Sequence, residues 1–142
     1  ADGRGVSPTY REITQYRNRF NPNNHAEVVQ VTFNNSILSS KELLRHYFEG
    51  HDPTQVNQQG NDIGTQYRSC IYLNDQKLYD ISSDLKEKYQ HDLETNNVNR
   101  IITTEIKLNE IFYYAEDYHQ QYLAKNPAGY CGIQGIGVNL SI

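Results

Sequence analysis

The sequence contains no methionine and no tryptophan, and only two of its 142 residues are cysteines. Two cysteines are too few for the disulfide-dense scaffold of a small secreted domain, and Cys70 and Cys131 have no metal-ligand spacing. No apolar run approaches the ~18 residues of a membrane span, and no charged-then-apolar leader opens the chain. We therefore expect a protein of a reducing compartment, the cytoplasm in the simplest case, with no membrane association.

Clustered positive charge is also missing. Thirteen Lys and Arg stand against seventeen Asp and Glu, which gives a net charge of -4 and a pI near 5.7. Binding to phosphates requires a basic patch, so we expect no nucleic-acid partner. The length suits one domain over residues 1–142, which would bury roughly two thirds of its unfolded surface, and we expect a monomer.

The chain opens on ADGRGVSP, a turn-forming segment without an initiating methionine. Gly, Ser and Pro are typical of turns rather than of the first element of a domain. We therefore expect a further segment before Ala1 in the complete protein, and that segment could hold a targeting signal for an organelle.

Apolar periodicity predicts strands alternating with helices. The predicted order is a strand over 27–33, a capped helix from Ser39 to Gly50, a strand over 67–73, a helix with Leu78, Ile81, Leu85 and Tyr89 on one face, and a strand over 100–106. An aromatic-rich segment over 111–125 and a Gly-rich tail follow. This order predicts an α+β two-layer sandwich of the ferredoxin-like plait type, with long loops and an irregular C-terminal tail.

The nineteen residues from 51 to 69, HDPTQVNQQGNDIGTQYRS, have almost no apolar content. Buried polar groups need hydrogen-bond partners, so a core would not select this composition, and polar loops of this kind often carry function. Gly60 and Gly64 permit tight turns that let Asp62 and Tyr67 converge. Taken alone, a glycine-flanked Asp is more often a turn former.

Glu27 has the same strand parity as Val29, Val31 and Phe33, so the predicted strand would turn its carboxyl toward the apolar face. Desolvation raises the pKa of a carboxyl group, and a carboxyl that is protonated near neutral pH can act as a general acid. Spacing alone also permits a partly exposed Glu at a strand end, and without further information this second interpretation is favoured.

Cys131 lies in GYCG, with glycines at 129, 132, 135 and 137 around it. We expect residues 126–142 to form a flexible tail that carries a resolving thiol, whereas Cys70 has the pattern of a small buried hydrophobe. The glycines are not a dinucleotide fingerprint, because no strand precedes them and no helix follows. Neither His51-Asp52 nor the EDYH segment has a metal-binding spacing, and we expect no metal.

Five segments together resemble the type A peptide methionine sulfoxide reductases, which reduce the S epimer of methionine sulfoxide. They are PTY (8–10), HAEVV (25–29), GNDIGTQY (60–67), AEDYHQ (115–120) and GYCG (129–132). The resemblance implies that Glu27 donates a proton to the sulfoxide oxygen and that Tyr10 and Tyr67 hydrogen-bond the same oxygen. It also implies that Asp62 organises the pocket, that His119 supports it, and that Cys131 is the recycling cysteine.

The family's reaction needs no metal, nucleotide or flavin. A thiolate attacks the sulfoxide sulfur, methionine leaves, and a recycling cysteine converts the resulting sulfenic acid to a disulfide that a thioredoxin-like protein reduces. The resemblance therefore implies repair of methionine-S-sulfoxide, free or in peptides and proteins. It predicts oxidised methionine and a thioredoxin-like reductant as the partners.

Three departures from the family pattern stand out. The GCFWG motif that carries the family's nucleophile is absent from these residues and is expected before Ala1, so this chain alone should be inactive. Residues 16–24, YRNRFNPNN, replace a shorter loop, and Leu140 stands where many relatives have a second recycling cysteine. The alternative hypothesis is a family member without a nucleophile that binds oxidised-methionine peptides.

Overall fold

Helices alternate with short strands along residues 25–142, the part of the chain that the computed structural model describes. Two of the helices are long, with 11 and 20 residues, and two of the strands form a parallel pair. The elements in order are α1 (Ser40–Gly50), β1 (Gln58–Gln59), β2 (Asp62–Ile63), a 3-10 turn (Thr65–Tyr67), β3 (Cys70–Leu73), α2 (Gln76–Thr95), β4 (Glu105–Leu108) and α3 (Tyr122–Lys125).

Helix α1 begins where the sequence predicts it. The Ser39 hydroxyl accepts a hydrogen bond from the Glu42 N–H at 3.2 Å, which satisfies one of the free donors of the first turn. The Glu42 carboxylate forms an ion pair with the Arg45 guanidinium, with an N–O distance of 2.6 Å. Leu44 and Phe48, one turn apart, are the buried residues of the helix. The predicted helix is therefore confirmed, with its apolar face against the core.

Helix α2 is capped by Asp75, whose carboxylate accepts the Leu78 N–H at 2.9 Å. Leu85, Tyr89 and Leu93 are fully buried, and Ile81 packs against them. This spacing of about one turn gives one continuous apolar stripe. The predicted helix face is confirmed and extends one turn further than expected.

Strands β3 and β4 form a parallel pair, in which Cys70 lies opposite Glu105 and Ile71 opposite Ile106. Parallel neighbours need a crossover connection, and α2 supplies it. Strand β1 pairs antiparallel with β2 as a separate two-residue hairpin. Helices over a short sheet make this an α+β domain, as the sequence predicts.

Both predicted strands in this pair begin later than expected. Residues 65–67 form a 3-10 turn instead, with the Tyr67 N–H bonded to the Gly64 carbonyl at 3.0 Å. Before β4, the Thr103 N–H donates a hydrogen bond to the Pro53 carbonyl at 2.8 Å. In each case a backbone N–H that would have to pair with a neighbouring strand is hydrogen-bonded to a loop carbonyl instead.

The predicted strand over 27–33 is wrong, since these residues have no regular structure. Val29 is 87% exposed and Val31 is 55% exposed, so the expected buried face does not exist. A strand requires a hydrogen-bonded neighbour, and β propensity alone does not supply one. Among residues 25–142 this segment's backbone makes one hydrogen bond, from Glu27 N to the Gln66 carbonyl at 2.8 Å.

The core lies between the helices, the β3–β4 pair and the end of the chain. Its buried members are Leu44, Phe48, Ile71, Leu85, Tyr89, Leu93, Ile102 and Leu140. Within residues 25–142, no helix has the length and apolar character that crossing a bilayer would require.

Candidate active site

The polar run at 51–69 folds back on itself, and its amide side chains bind its own backbone. The side-chain Oε1 atom of Gln55 accepts the Gly60 N–H at 2.7 Å, while the Gln59 side chain bonds both the backbone N–H and the backbone carbonyl of Asp52. Buried amides need such partners. Much of the loop's polarity therefore holds the loop in shape and leaves few side chains for chemistry.

Asp62 and Tyr67 lie in the second half of this loop, Asp62 in β2 and Tyr67 at the end of the 3-10 turn. Asp62 pairs with Gln59 across a two-residue turn, where Gly60 has a φ of +58°. Gly64 has a φ of +146° and donates its N–H to the Asn57 carbonyl at 2.8 Å. The predicted tight turns at the two glycines are confirmed, because each φ lies where other residues are strained.

Glu27 lies beside the loop and beside the aromatic segment. Its carboxylate oxygen is 3.4 Å from the His119 Nε2 atom, and its side chain is 36% exposed. The sequence argument placed this carboxyl on a buried strand face, and that geometry is wrong because the strand is absent. What the structure brings together is the HAE segment and the AEDYH segment, across more than ninety residues of chain.

Gln66 connects Glu27 to the loop. Its carbonyl accepts the Glu27 N–H at 2.8 Å, and its side chain is 1% exposed. Among residues 25–142, neither polar atom of its amide has a hydrogen-bond partner. Sequence reasoning missed this residue, since a Gln between Thr and Tyr gives no sign of burial.

Cys131 is exposed, and its neighbours on both sides contact the loop. The Tyr130 hydroxyl accepts a hydrogen bond from the Asn61 amide at 3.4 Å. A Cβ added to Gly60 would lie 2.9 Å from the Gly132 carbonyl oxygen, so the two backbones are in close contact. A polar cavity of about 410 Å³ lies between this part of the loop and residues 130–135.

The loop is thus the common neighbour of the predicted site residues. Its tip contacts the residues that flank Cys131, and its end at Gln66 contacts Glu27. Asp62 and Tyr67 lie on the loop between or next to these two contacts. Tyr10 lies outside the described residues.

Comparison with known proteins decides the family. A family model for peptide methionine sulfoxide reductase matches residues 1–138. The chain belongs to the peptide methionine sulfoxide reductase family. It is 46% identical over 142 residues to the peptide methionine sulfoxide reductase MsrA of Agrobacterium fabrum, covering 100% of this chain and 63% of the relative. It is 47% identical over 139 residues to the mitochondrial enzyme of Mus musculus, covering 98% and 57%.

Solved structures of reductases have the same fold. Mxr1 from Saccharomyces cerevisiae in its reduced form gives a TM-score of 0.77 at 34% identity, over 92% of this chain and 67% of that one. Methionine sulfoxide reductase A of Corynebacterium diphtheriae gives 0.71 at 38% identity, over 90% and 66%. The chain spans about three fifths of the length of the curated relatives it matches.

The other cysteine of this reductase-family chain, Cys70, is half-buried at the start of β3. Burial raises the pKa of its thiol, and the nearby Arg68 offsets part of that effect. The neighbouring Glu105 accepts hydrogen bonds from Tyr72 at 2.7 Å and Arg68 at 3.1 Å. Burial alone would raise the pKa of Glu105, but hydrogen bonds from Lys107, Tyr72 and Arg68 lower it to about 2.

A buried polar chain next to the site was also missed by sequence reasoning. The Nε2 atom of His51 is 2.7 Å from the Ser69 hydroxyl, which is 2.7 Å from the Thr104 hydroxyl. All three residues are buried. Across residues 25–142 no group of three or more His, Cys, Asp and Glu side chains is arranged to hold a metal ion.

Proposed function

We propose that the protein containing this chain reduces methionine-S-sulfoxide, free or in peptides and proteins, to methionine. The observation that carries the proposal is the loop at 51–69, which contacts both the Glu27 segment and the residues around Cys131. Family membership supplies the substrate class, and the loop contacts both the segment of the candidate proton donor and the neighbours of the candidate recycling thiol.

In the proposed first step, a thiolate attacks the sulfoxide sulfur while Glu27 delivers a proton to the oxygen. The protonated oxygen passes from the methionine sulfur to the cysteine sulfur as the S–O bond breaks, so methionine leaves and the attacking cysteine becomes a sulfenic acid. Tyr10 and Tyr67 would donate hydrogen bonds to the oxygen as negative charge develops on it, and Asp62 would hold the pocket in shape. The attacking thiol belongs to a GCFWG motif, which these 142 residues do not contain.

In the proposed second step, the Cys131 sulfur attacks the sulfenic sulfur, a disulfide forms and water leaves. The exposure of Cys131 supports this role, since a resolving thiol must reach its partner. A thioredoxin-like dithiol then reduces the disulfide by exchange and is itself oxidised. These steps use sulfur chemistry throughout and call for no cofactor.

The test is turnover of a methionine-S-sulfoxide peptide by the intact protein with thioredoxin, thioredoxin reductase and NADPH. Glu27→Ala should lower the single-turnover rate by about 100-fold and Glu27→Gln by less, because general acid catalysis contributes ~10²–10⁴. Cys131→Ser should release one methionine per protein and then stop. Peptide binding without any turnover by the wild-type protein would support a binding module and refute the enzyme.

A further inference from the structure

The chain after Cys131 is irregular, but its far end is packed into the core. Leu140 is 2% exposed and belongs to the core cluster, and Ile136 and Val138 pack against the same cluster. The predicted flexible tail over residues 126–142 is therefore packed against the helices from Gly135 onward, and its mobility before that point stays a prediction. Cys131 lies in the part before Gly135.

Three helix side chains bind the backbone of this packed end. The Tyr89 hydroxyl donates to the Val138 carbonyl at 2.8 Å, and the Glu49 carboxylate accepts the Leu140 N–H at 2.8 Å. The Asp92 carboxylate accepts the Ser141 N–H at 2.9 Å and the Ser141 hydroxyl at 2.9 and 3.0 Å. Two of these acceptors are charged groups, which strengthens their hydrogen bonds.

Tyr89 is suited to this role over the whole physiological pH range. It is fully buried, so its ring is fixed by packing as well as by the hydrogen bond. Burial, with the negative charges of Glu49, Asp52 and Asp92, raises the pKa of Tyr89 to about 12. The phenol therefore keeps the proton that it donates to the tail.

The packed end begins at Gly135. A Cβ added there would collide with the Glu49 carbonyl oxygen, so the tail backbone lies directly against the last turn of α1. Cys131 precedes this contact by four residues. Four residues span at most about 14 Å when fully extended, which sets the distance that the Cys131 backbone can move away from the anchor.

We propose that Tyr89, Glu49 and Asp92 are positioning residues for Cys131. By holding residues 135–141 on the two helices, they keep the thiol at a high effective concentration near the sulfenic acid. The sulfenic acid and the resolving role of Cys131 are those of the proposed function, on which this inference rests. Leu140 then fixes residues 135–141 to the apolar core, at the position where a second recycling thiol occurs in relatives.

The experiment separates the two chemical steps in the intact protein. Tyr89→Phe removes only the hydroxyl, and Glu49→Ala removes the acceptor for Leu140. Each variant should release the first methionine at the wild-type rate, but should form the Cys131 disulfide about tenfold more slowly, because the thiol's effective concentration falls. Rapid quenching with an alkylating agent and mass spectrometry measure both rates.

Two further variants control for indirect effects. Glu49→Gln keeps an oxygen acceptor and should recover most of the disulfide rate that Glu49→Ala loses. Asp80→Asn changes only the exposed Gln76–Asp80 hydrogen bond of α2, away from the tail, and should leave both rates unchanged. Wild-type disulfide rates in both Tyr89→Phe and Glu49→Ala would overturn the proposal, as would an equal fall in the first step.

Amide hydrogen exchange over residues 135–142 tests the anchor without any substrate. Exchange should be faster in Tyr89→Phe and Glu49→Ala than in the wild type and in Asp80→Asn, and unchanged exchange in both would overturn the anchor. If the wild-type protein forms no methionine while the variants still show these differences in exchange, the proposed function is refuted and the anchor is retained.

Discussion

At the scale of single residues, the two cysteines differ in burial. Only a thiolate attacks an electrophile, so a thiol whose pKa is raised reacts slowly even when a reagent reaches it. Burial raises the pKa of Cys70 at the start of β3, whereas Cys131 is exposed in the tail.

We predict that iodoacetamide at neutral pH alkylates Cys131 about tenfold or more faster than Cys70, since burial lowers both the thiolate fraction of Cys70 and its access to the reagent. Peptide mapping by mass spectrometry after timed quenching measures the two rates in the intact protein. In urea the difference should disappear, because unfolding exposes both thiols. Equal rates in the folded protein would contradict the packing of Cys70.

At the scale of elements, the long helices depend on their caps. Asp75 accepts the Leu78 N–H, and its negative charge lies at the positive end of a twenty-residue helix. We predict that Asp75→Ala lowers the free energy of unfolding by about 1 kcal/mol. Urea denaturation of the intact protein measures it.

Lys77→Ala, at an exposed position in the same first turn, is the matched control and should change stability by less than about 0.5 kcal/mol. A similar loss in both variants would mean that the first turn, and not the cap, determines the effect. If Asp75→Ala leaves the free energy of unfolding unchanged, the Asp75 cap does not stabilise α2.

The helices could be predicted from sequence because their signals are local. Ser39 and Asp75 cap at short range, and Leu85, Tyr89 and Leu93 recur at helical spacing. The 27–33 strand could not be settled this way, because a strand depends on a neighbour that periodicity does not supply. The same limit applies to Glu27, whose burial was inferred from the strand.

The residues of the candidate site stay predictions from the sequence, whereas the contacts between their segments come from the structure. Motif resemblance pointed to Glu27, Asp62, Tyr67 and Cys131, while Gln66, which bonds Glu27, has no sequence signal. The anchoring of the tail did have one: Ile136, Val138 and Leu140 alternate as a packed irregular segment would. Gly135 marks its start because no side chain fits against the Glu49 carbonyl.

At the scale of the whole molecule, one buried polar chain joins three elements. His51 follows α1 and bonds the Tyr47 carbonyl at 2.6 Å through Nδ1, which must therefore carry the proton. Its Nε2 atom then accepts the hydroxyl of Ser69, which precedes β3, and Thr104, which precedes β4, bonds Ser69. This arrangement uses the neutral imidazole.

Burial lowers the pKa of His51 from 6.5, although the Tyr47 hydrogen bond and the charge of Asp52 oppose the effect. As the pH falls below about 6.5, the unfolded chain binds a proton that the folded protein resists, so the free energy of unfolding must decrease. The contribution of His51 is fully present above that pH and is lost progressively on acidification. We therefore predict a loss of stability between pH 7 and pH 5.

His51→Gln should be less stable than the wild type at pH 7, because the buried chain loses a well-fitted partner, and its stability should depend less on pH below 7. Exposed His91 provides the matched control, and His91→Gln should keep the wild-type slope. Urea denaturation at half-unit steps from pH 8 to pH 5 gives the three curves. If His51→Gln keeps the wild-type slope, the acid sensitivity belongs to other histidines, and the buried chain joins the three elements without sensing pH.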